Sequence, residues 1–217
     1  MKPIFGGYNG KMQRLKMKNI LIILFTLVLS ACGSTAGINL GPYYTYGPTK
    51  NDFRVCHGYS CQFQTPVTFS NKEWAGLLRP LKRSFKSAEA ERTALAKVMG
   101  DIEKLAGKKS GTNVDLAQAR GKPENDFQMD CIDETANNAL YMTFIRDTGL
   151  LKHNAYERAV HRGYFIDGAW PHNAVAVRDL KTNELYVFDS FYKPNGKAPY
   201  VIPLKEWKAG WRPDEAQ

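Results

Sequence analysis

The 217 residues carry a formal charge of +9, yet Lys2, Lys11, Arg14, Lys16 and Lys18 all precede Cys32 with no acid among them, so +4 remains from Cys32 onward. That remainder argues against a nucleic-acid partner and suits a protein held near anionic lipid or cell wall. The length beyond the leader fits one domain, and the chain has neither internal repeats nor low-complexity tracts.

In chain order, the stretch KMQRLKMKNILIILFTLVLSACGSTAG has a basic region, an apolar run from Ile20 to Leu29 and a small-residue site, the pattern of a secretory signal. The apolar run is about half the roughly 20 residues that a spanning helix needs, so a transmembrane anchor is not expected. Leu29-Ser30-Ala31-Cys32 resembles the lipobox of bacterial lipoproteins, in which signal peptidase cuts before a cysteine that has been diacylated. The resemblance implies a signal peptide over residues 1–31, a lipid on Cys32, and a periplasm-facing protein of the bacterial envelope. Gly33 after the lipid cysteine, in place of Asp, favours the outer membrane.

Residues 32–52, rich in Gly, Pro, Ser, Thr and Tyr, read as a flexible tether, and residues 53–217 as the domain. Cys56 and Cys61 are close enough to pair in an oxidising compartment, which leaves Cys131 without a partner. Cys56, His57 and Cys61 alone do not complete a zinc site of four ligands. A short strand is expected within CQFQTPVTF. Helices are expected over Asn71 to Leu81 and over Ser87 to Leu105, the second with Leu95, Val98, Met99, Ile102 and Leu105 at helical spacing and Gly107 as its stop. After a loop from Gly107 to Asp126, the segment MDCIDETANNALYMTFIRDTG reads as a helix opening at Cys131, with Asp130 as N-cap and Asp133 and Glu134 in the first turn. Strands are expected at Ala159 to Ile166, in a hairpin made of PHNAVAVRD and LYVFDS, and at Tyr200 to Ile202.

These elements define an α+β domain, with N-terminal helices and a cysteine-bearing helix packed on a small antiparallel sheet. Both hairpin faces are apolar, Ala174, Ala176, Leu185 and Val187 on one and Val175, Val177, Tyr186 and Phe188 on the other, so both should be covered. A four-residue loop from Asp179 to Thr182 would set Arg178 against Asn183 and His172 directly against Asp189. Opposed residues have Cβ atoms about 4.5 to 5.5 Å apart, close enough for the carboxylate to accept the imidazole N–H and fix its tautomer. A thiol at a helix N-terminus is favoured as thiolate by the orphan N–H groups, although the flanking acids oppose this. Cys131, His172 and Asp189 therefore form a candidate nucleophile, base and orienting acid. Oxyanion stabilisation would come from the Cys131 N–H and a second donor, for which Gln128 is the candidate, while Trp170 could wall the cleft. His153 and His161 read as solvated or structural.

Cys131-Ile132-Asp133 with Ala136, His172-Asn173-Ala174-Val175 and Val187-Phe188-Asp189-Ser190 resemble the three motifs of the bacterial transglutaminase-like cysteine proteinases, roughly C-x-D-x-A, H-A-V-L and L-D-N. The likeness spans about Asp126 to Tyr192. It departs where Ala comes one place late, where Asn173 separates His172 from Ala174, and where Ser190 stands for Asn. The resemblance implies a transglutaminase-like, papain-like fold and an envelope peptidase or acyltransferase acting on a protein or peptide through a thioester. Some members bind calcium through acids beside the nucleophile, and Asp130, Asp133 and Glu134 occupy those places, but the thiol chemistry requires no cofactor. An NlpC-type peptidoglycan endopeptidase shares the Asp-Cys pair but lacks its Ser-Gly here. A non-catalytic envelope binding or assembly lipoprotein is the third expectation.

Overall fold

The computed structural model describes residues 39–44, 47–119, 125–163 and 171–213. All of them belong to one unit, Gly37–Gln217. The signal, Cys32 and Trp170 lie outside the described residues.

After a 3-10 turn over Gly41–Tyr43, the described residues form an antiparallel hairpin, β1 (Phe53–His57) with β2 (Phe63–Val67), then a short helix α1 (Asn71–Leu77). Ser70 caps α1 through a capping box with Glu73. Pro80 lies past its end, where a 3-10 turn over Arg79–Leu81 replaces the continuous helix expected to Leu81. The long helix α2 (Ala88–Ser110) starts at the Ser87 cap and ends at Gly111, which has φ +96°. It thus runs straight through Gly107, the expected stop. A Cβ at Gly107 would lie 2.6 Å from the Asn195 side chain, so this glycine serves close packing and the stop falls on Gly111.

The cysteine helix α3 (Cys131–Arg146) leads to β3 (Asn154–Arg162), β4 (His172–Asp179), β5 (Leu185–Asp189), β6 (Tyr200–Pro203) and a last turn of helix, α4 (Leu204–Lys208). The sheet is antiparallel in the order β3-β4-β5-β6. One face carries Val175, Val177 and Phe188 into the main core with α2 and α3, and the other carries Ala174, Ala176 and Val187 against Trp207 of α4. Both faces are covered, as the alternating apolar sets require. The described residues are of mixed α+β type, with four α-helices and two antiparallel sheets among them.

Part of the expected tether is not free. Leu40 and Tyr44 pack against the main core, and the Tyr44 hydroxyl donates to the Ala136 carbonyl of α3. These two residues of the expected tether thus pack on the domain.

The β4–β5 register also differs from expectation by two residues. Ala176 faces Val187 and Arg178 faces Leu185, and the loop runs from Leu180 to Asn183 between Asp179 and Glu184. The cause is local. The Asp179 carboxylate accepts from the N–H groups of Lys181 and Thr182, closing the turn, while Asn183 takes φ +62°. Because side chains alternate with a period of two, this slip keeps His172 and Asp189 on one face.

Candidate active site

Cys131 is the first residue of α3, and the structure builds an elaborate cap around it. Asp130 accepts from Ile132 N–H and Asp133 N–H, and Asp133 accepts in turn from Asp130 N–H. The Cys131 N–H has no acceptor among the described residues, which leaves one donor of the first helical turn beside the sulfur.

The cap is held from outside by the loop between β1 and β2. Gly58, Tyr59, Ser60 and Cys61 all have positive φ, from 54° to 81°, so successive N–H groups converge on one side. Tyr59 and Cys61 donate to Asp133 at 2.8 and 2.5 Å, and Ser60 donates to Asp130 at 3.0 Å. The Cys56–Cys61 disulfide closes this loop. Asn137 of α3 ties the same cysteine down, exchanging hydrogen bonds with the N–H and C=O of Cys56 at 2.8 and 2.9 Å. His57 is part of this frame, bonded to Asp126 O and Thr65 Oγ1 between the rings of Phe63 and Phe127.

Two of the acids proposed for calcium are thus occupied by backbone donors, and Glu134 turns into the core to accept from Ser190 Oγ at 2.6 Å. Among the described residues no group of three His, Cys, Asp or Glu side chains is arranged to hold a metal ion. To hold a calcium ion, Asp130 and Asp133 would have to share their carboxylate oxygens with these backbone donors.

The buried His172 places Nε2 2.8 Å from Oδ2 of Asp189, which is 0% exposed. Trp207 Nε1 donates to the same oxygen at 2.7 Å, while Oδ1 has no partner among the described residues. The ring of His172 is boxed by Phe191, Tyr192 and Trp207, with centroids 5.0, 5.6 and 5.6 Å away. Arg162, opposite His172 on β3, braces the box from behind. Its guanidinium lies over Trp207 and donates to Trp207 O, Trp211 O and the Tyr192 hydroxyl. Ser190, which follows Asp189, is pinned between Asn138 Nδ2 and Glu134. With Nε2 committed to Asp189, Nδ1 is the ring nitrogen left for proton transfer.

Asn173, the next residue on β4, links the imidazole strand to Cys131, with Nδ2 3.9 Å from its Sγ. Cys131 is the free cysteine among the described residues. Burial pushes its thiol up to about 11, the charges of Asp130 and Asp189 push the same way, and the backbone and side-chain N–H groups of Asn173 oppose them. At rest the sulfur is a thiol that needs a base, not a preformed thiolate.

Gln128 is not placed as an oxyanion donor. Its amide is spent on the backbone of the preceding loop, accepting from Leu116 N–H at 3.1 Å and donating to Val114 O at 3.0 Å. Trp207, Arg162 and Asn173 were not singled out from sequence. The first two lie far from the triad motifs in the chain, whereas Asn173 was visible as the residue interrupting the expected His-Ala step. No protein-family model, curated protein or solved structure matches the chain.

Proposed function

We propose that this protein is an envelope-located, lipid-anchored thiol hydrolase or amide acyltransferase of the transglutaminase-like type. The observation that carries the reading is the buried His172–Asp189 bond at 2.8 Å, reinforced by Trp207 and placed on the strand whose next residue touches Cys131. A buried carboxylate that fixes an imidazole is costly, and proton transfer to a thiol reached by the next residue of the same strand explains it.

In this reading His172 Nδ1 takes the Cys131 thiol proton as the sulfur attacks a substrate amide carbonyl. The developing oxyanion meets the Cys131 N–H, and Asp189 stabilises the imidazolium. The proton passes to the leaving amine, and a thioester remains on Cys131. Water or a second amine then attacks the thioester, giving hydrolysis or acyl transfer, and the thiol recovers its proton through His172. The lipobox supplies the location, so the substrate is a protein or peptide of the envelope.

The test is to incubate envelope proteins with wild-type or Cys131→Ala protein and a biotinylated primary amine. New peptide termini that require Cys131 mark hydrolysis, and biotin incorporation that requires Cys131 marks acyl transfer. If neither product depends on Cys131, the reading is wrong.

A further inference from the structure

Asn173 is buried, and both ends of its amide are engaged. Nδ2 faces Cys131 Sγ at 3.9 Å and Oδ1 lies 2.8 Å from Nδ1 of His161, the residue paired with Asn173 across the β3–β4 ladder. The other nitrogen of His161 lies 2.7 Å from the carbonyl oxygen of Gly163. A carbonyl can only accept, so Nε2 carries a hydrogen. The remaining contact then has two arrangements. If Nδ1 is also protonated, it donates to Oδ1 and the NH2 group faces the sulfur. If Nδ1 is bare, the amide must turn over, and the sulfur meets an acceptor in place of a donor.

We propose that Asn173 is a fourth member of the catalytic site, holding the Cys131 sulfur through its side-chain N–H, and that His161 is a positioning residue that sets which end of the amide the sulfur meets. The inference rests on the thiol reading above and adds to it a second histidine. The groups acting on the sulfur come from three elements: Asp130 on the turn before α3, Asn173 on β4, and Asp189 on β5. Asn173 is the member of this set that offers the thiolate a neutral donor, so its loss should make the thiolate harder to form.

The test follows iodoacetamide alkylation of Cys131 against pH in the full-length protein, read on the Cys131 peptide by mass spectrometry. Asn173→Ala should move the alkylation profile up by about one pH unit, slowing the reaction about tenfold at any pH below the thiol's own. The isosteric Asn173→Asp, which puts an anion beside the sulfur, should slow it further, and keeps the test informative if the alanine variant does not fold. His161→Ala should slow alkylation in the same direction, and its effect should vanish in an Asn173→Ala background because both act through one amide. Two outcomes overturn the inference alone: wild-type profiles in both Asn173 variants, or an undiminished His161 effect without Asn173. If wild-type Cys131 reacts no faster than in His172→Ala protein, the thiol mechanism falls and this inference falls with it.

Discussion

Asp189 reaches His172 on the diagonal, not straight across the ladder. In the observed register Ala176 faces Val187, which puts Asp189 two places short of the residue opposite His172, yet the side chains meet at 2.8 Å. Diagonal neighbours on one face lie within reach of longer side chains, and the offset leaves room for Trp207 to donate to the same oxygen. A graded set of effects follows. Cys131→Ala should abolish turnover, His172→Ala should nearly do so, and Asp189→Asn should lower kcat by about 10⁴ while the fold persists, because the amide supports the wrong imidazole tautomer. Kinetics on any substrate found for the protein, with circular dichroism of each variant, measures this. An unimpaired Asp189→Asn enzyme would remove the triad and leave a Cys-His pair.

Trp207 contributes more than a wall. It is 0% exposed and donates to Asp189, whose second oxygen has no partner among the described residues. Trp207→Phe keeps most of the apolar area and deletes the donor, so the variant should be destabilised by about 1 to 3 kcal/mol, the cost of stripping a buried acceptor. Its kcat should fall about tenfold with KM little changed, since the orienting acid loses one of its two fixed donors. Equal activity in a folded Trp207→Phe protein would reduce the indole to packing.

The helix opening at Cys131, the start of the long helix at Ser87 and the shared face of His172 and Asp189 are legible because each depends on local chemistry: apolar spacing, Ser and Asp caps, and the period of two along β4 and β5, whereas β3 begins at Asn154, five residues before the expected strand. What escaped depends on distant partners. Gly107 looked like a helix stop until Asn195 was seen packed on it. Gln128 looked free until Val114 and Leu116 were found on its amide. The turn after β4 lies one residue later than its composition suggests, which shifts the pairing by two, because the Asp179 side chain that closes it has no special mark in the sequence. The backbone N–H groups that hold the acids beside Cys131 lie some 70 residues upstream in the chain, beyond the reach of any local pattern.

The loop of Cys56–Cys61 should matter to the nucleophile as well as to stability. Its N–H groups hold Asp130 and Asp133, and those acids cap the helix that presents Cys131. Closing so short a loop is worth about 2 kcal/mol by chain entropy. For a domain of this size that corresponds to a Tm loss of about 4 to 8 °C on reduction. Calorimetry with and without reductant measures the first effect, and catalytic rate in Cys56→Ser/Cys61→Ser protein measures the second. A reduced protein with unchanged Tm and unchanged turnover would mean that the loop keeps its shape without the bond.

The proposed lipid anchor and the proposed thiol chemistry can be tested separately. Replacing the lipobox cysteine by Cys32→Ala should release the protein from envelope membranes, or halt its maturation, without altering the chemistry at Cys131. Membrane fractionation and the intact mass of the mature chain test this. A variant that stays with the membrane at its normal mature mass would rule out the lipid on Cys32.

Beneath the site, Glu103, Asp115 and Glu134 form a buried acidic group that predicts how stability responds to pH. Burial raises all three above the ordinary carboxylate range, Asp115 to about 8, and in the Glu103–Glu134 pair the two carboxyls share a hydrogen bond, the charge of each disfavouring that of the other. Glu103 also accepts from Gly196 N–H at 2.9 Å, so the pair fastens the chain after Asp189 to α2 and α3. A group with a raised folded pKa binds more protons folded than unfolded once pH passes its ordinary value, here 4.5 for Glu and 3.8 for Asp. Stability from these groups is therefore full below that value and declines as pH rises toward about 8. The ion-paired acids Glu73, Glu157 and Asp179 are shifted the other way, and they lose their contribution only as pH falls below their ordinary values of 4.5 and 3.8. Between pH 5 and 8 the buried group should set the slope, and urea denaturation is expected to give a midpoint that falls across this range. Glu103→Gln keeps an acceptor for Gly196 and a permanent donor for Glu134, so it should flatten the decline and leave the variant more stable than wild type at pH 8. A wild-type midpoint that rises from pH 5 to 8, or a Glu103→Gln slope equal to the wild-type one, would show that these carboxyls are ionised in the folded protein at neutral pH.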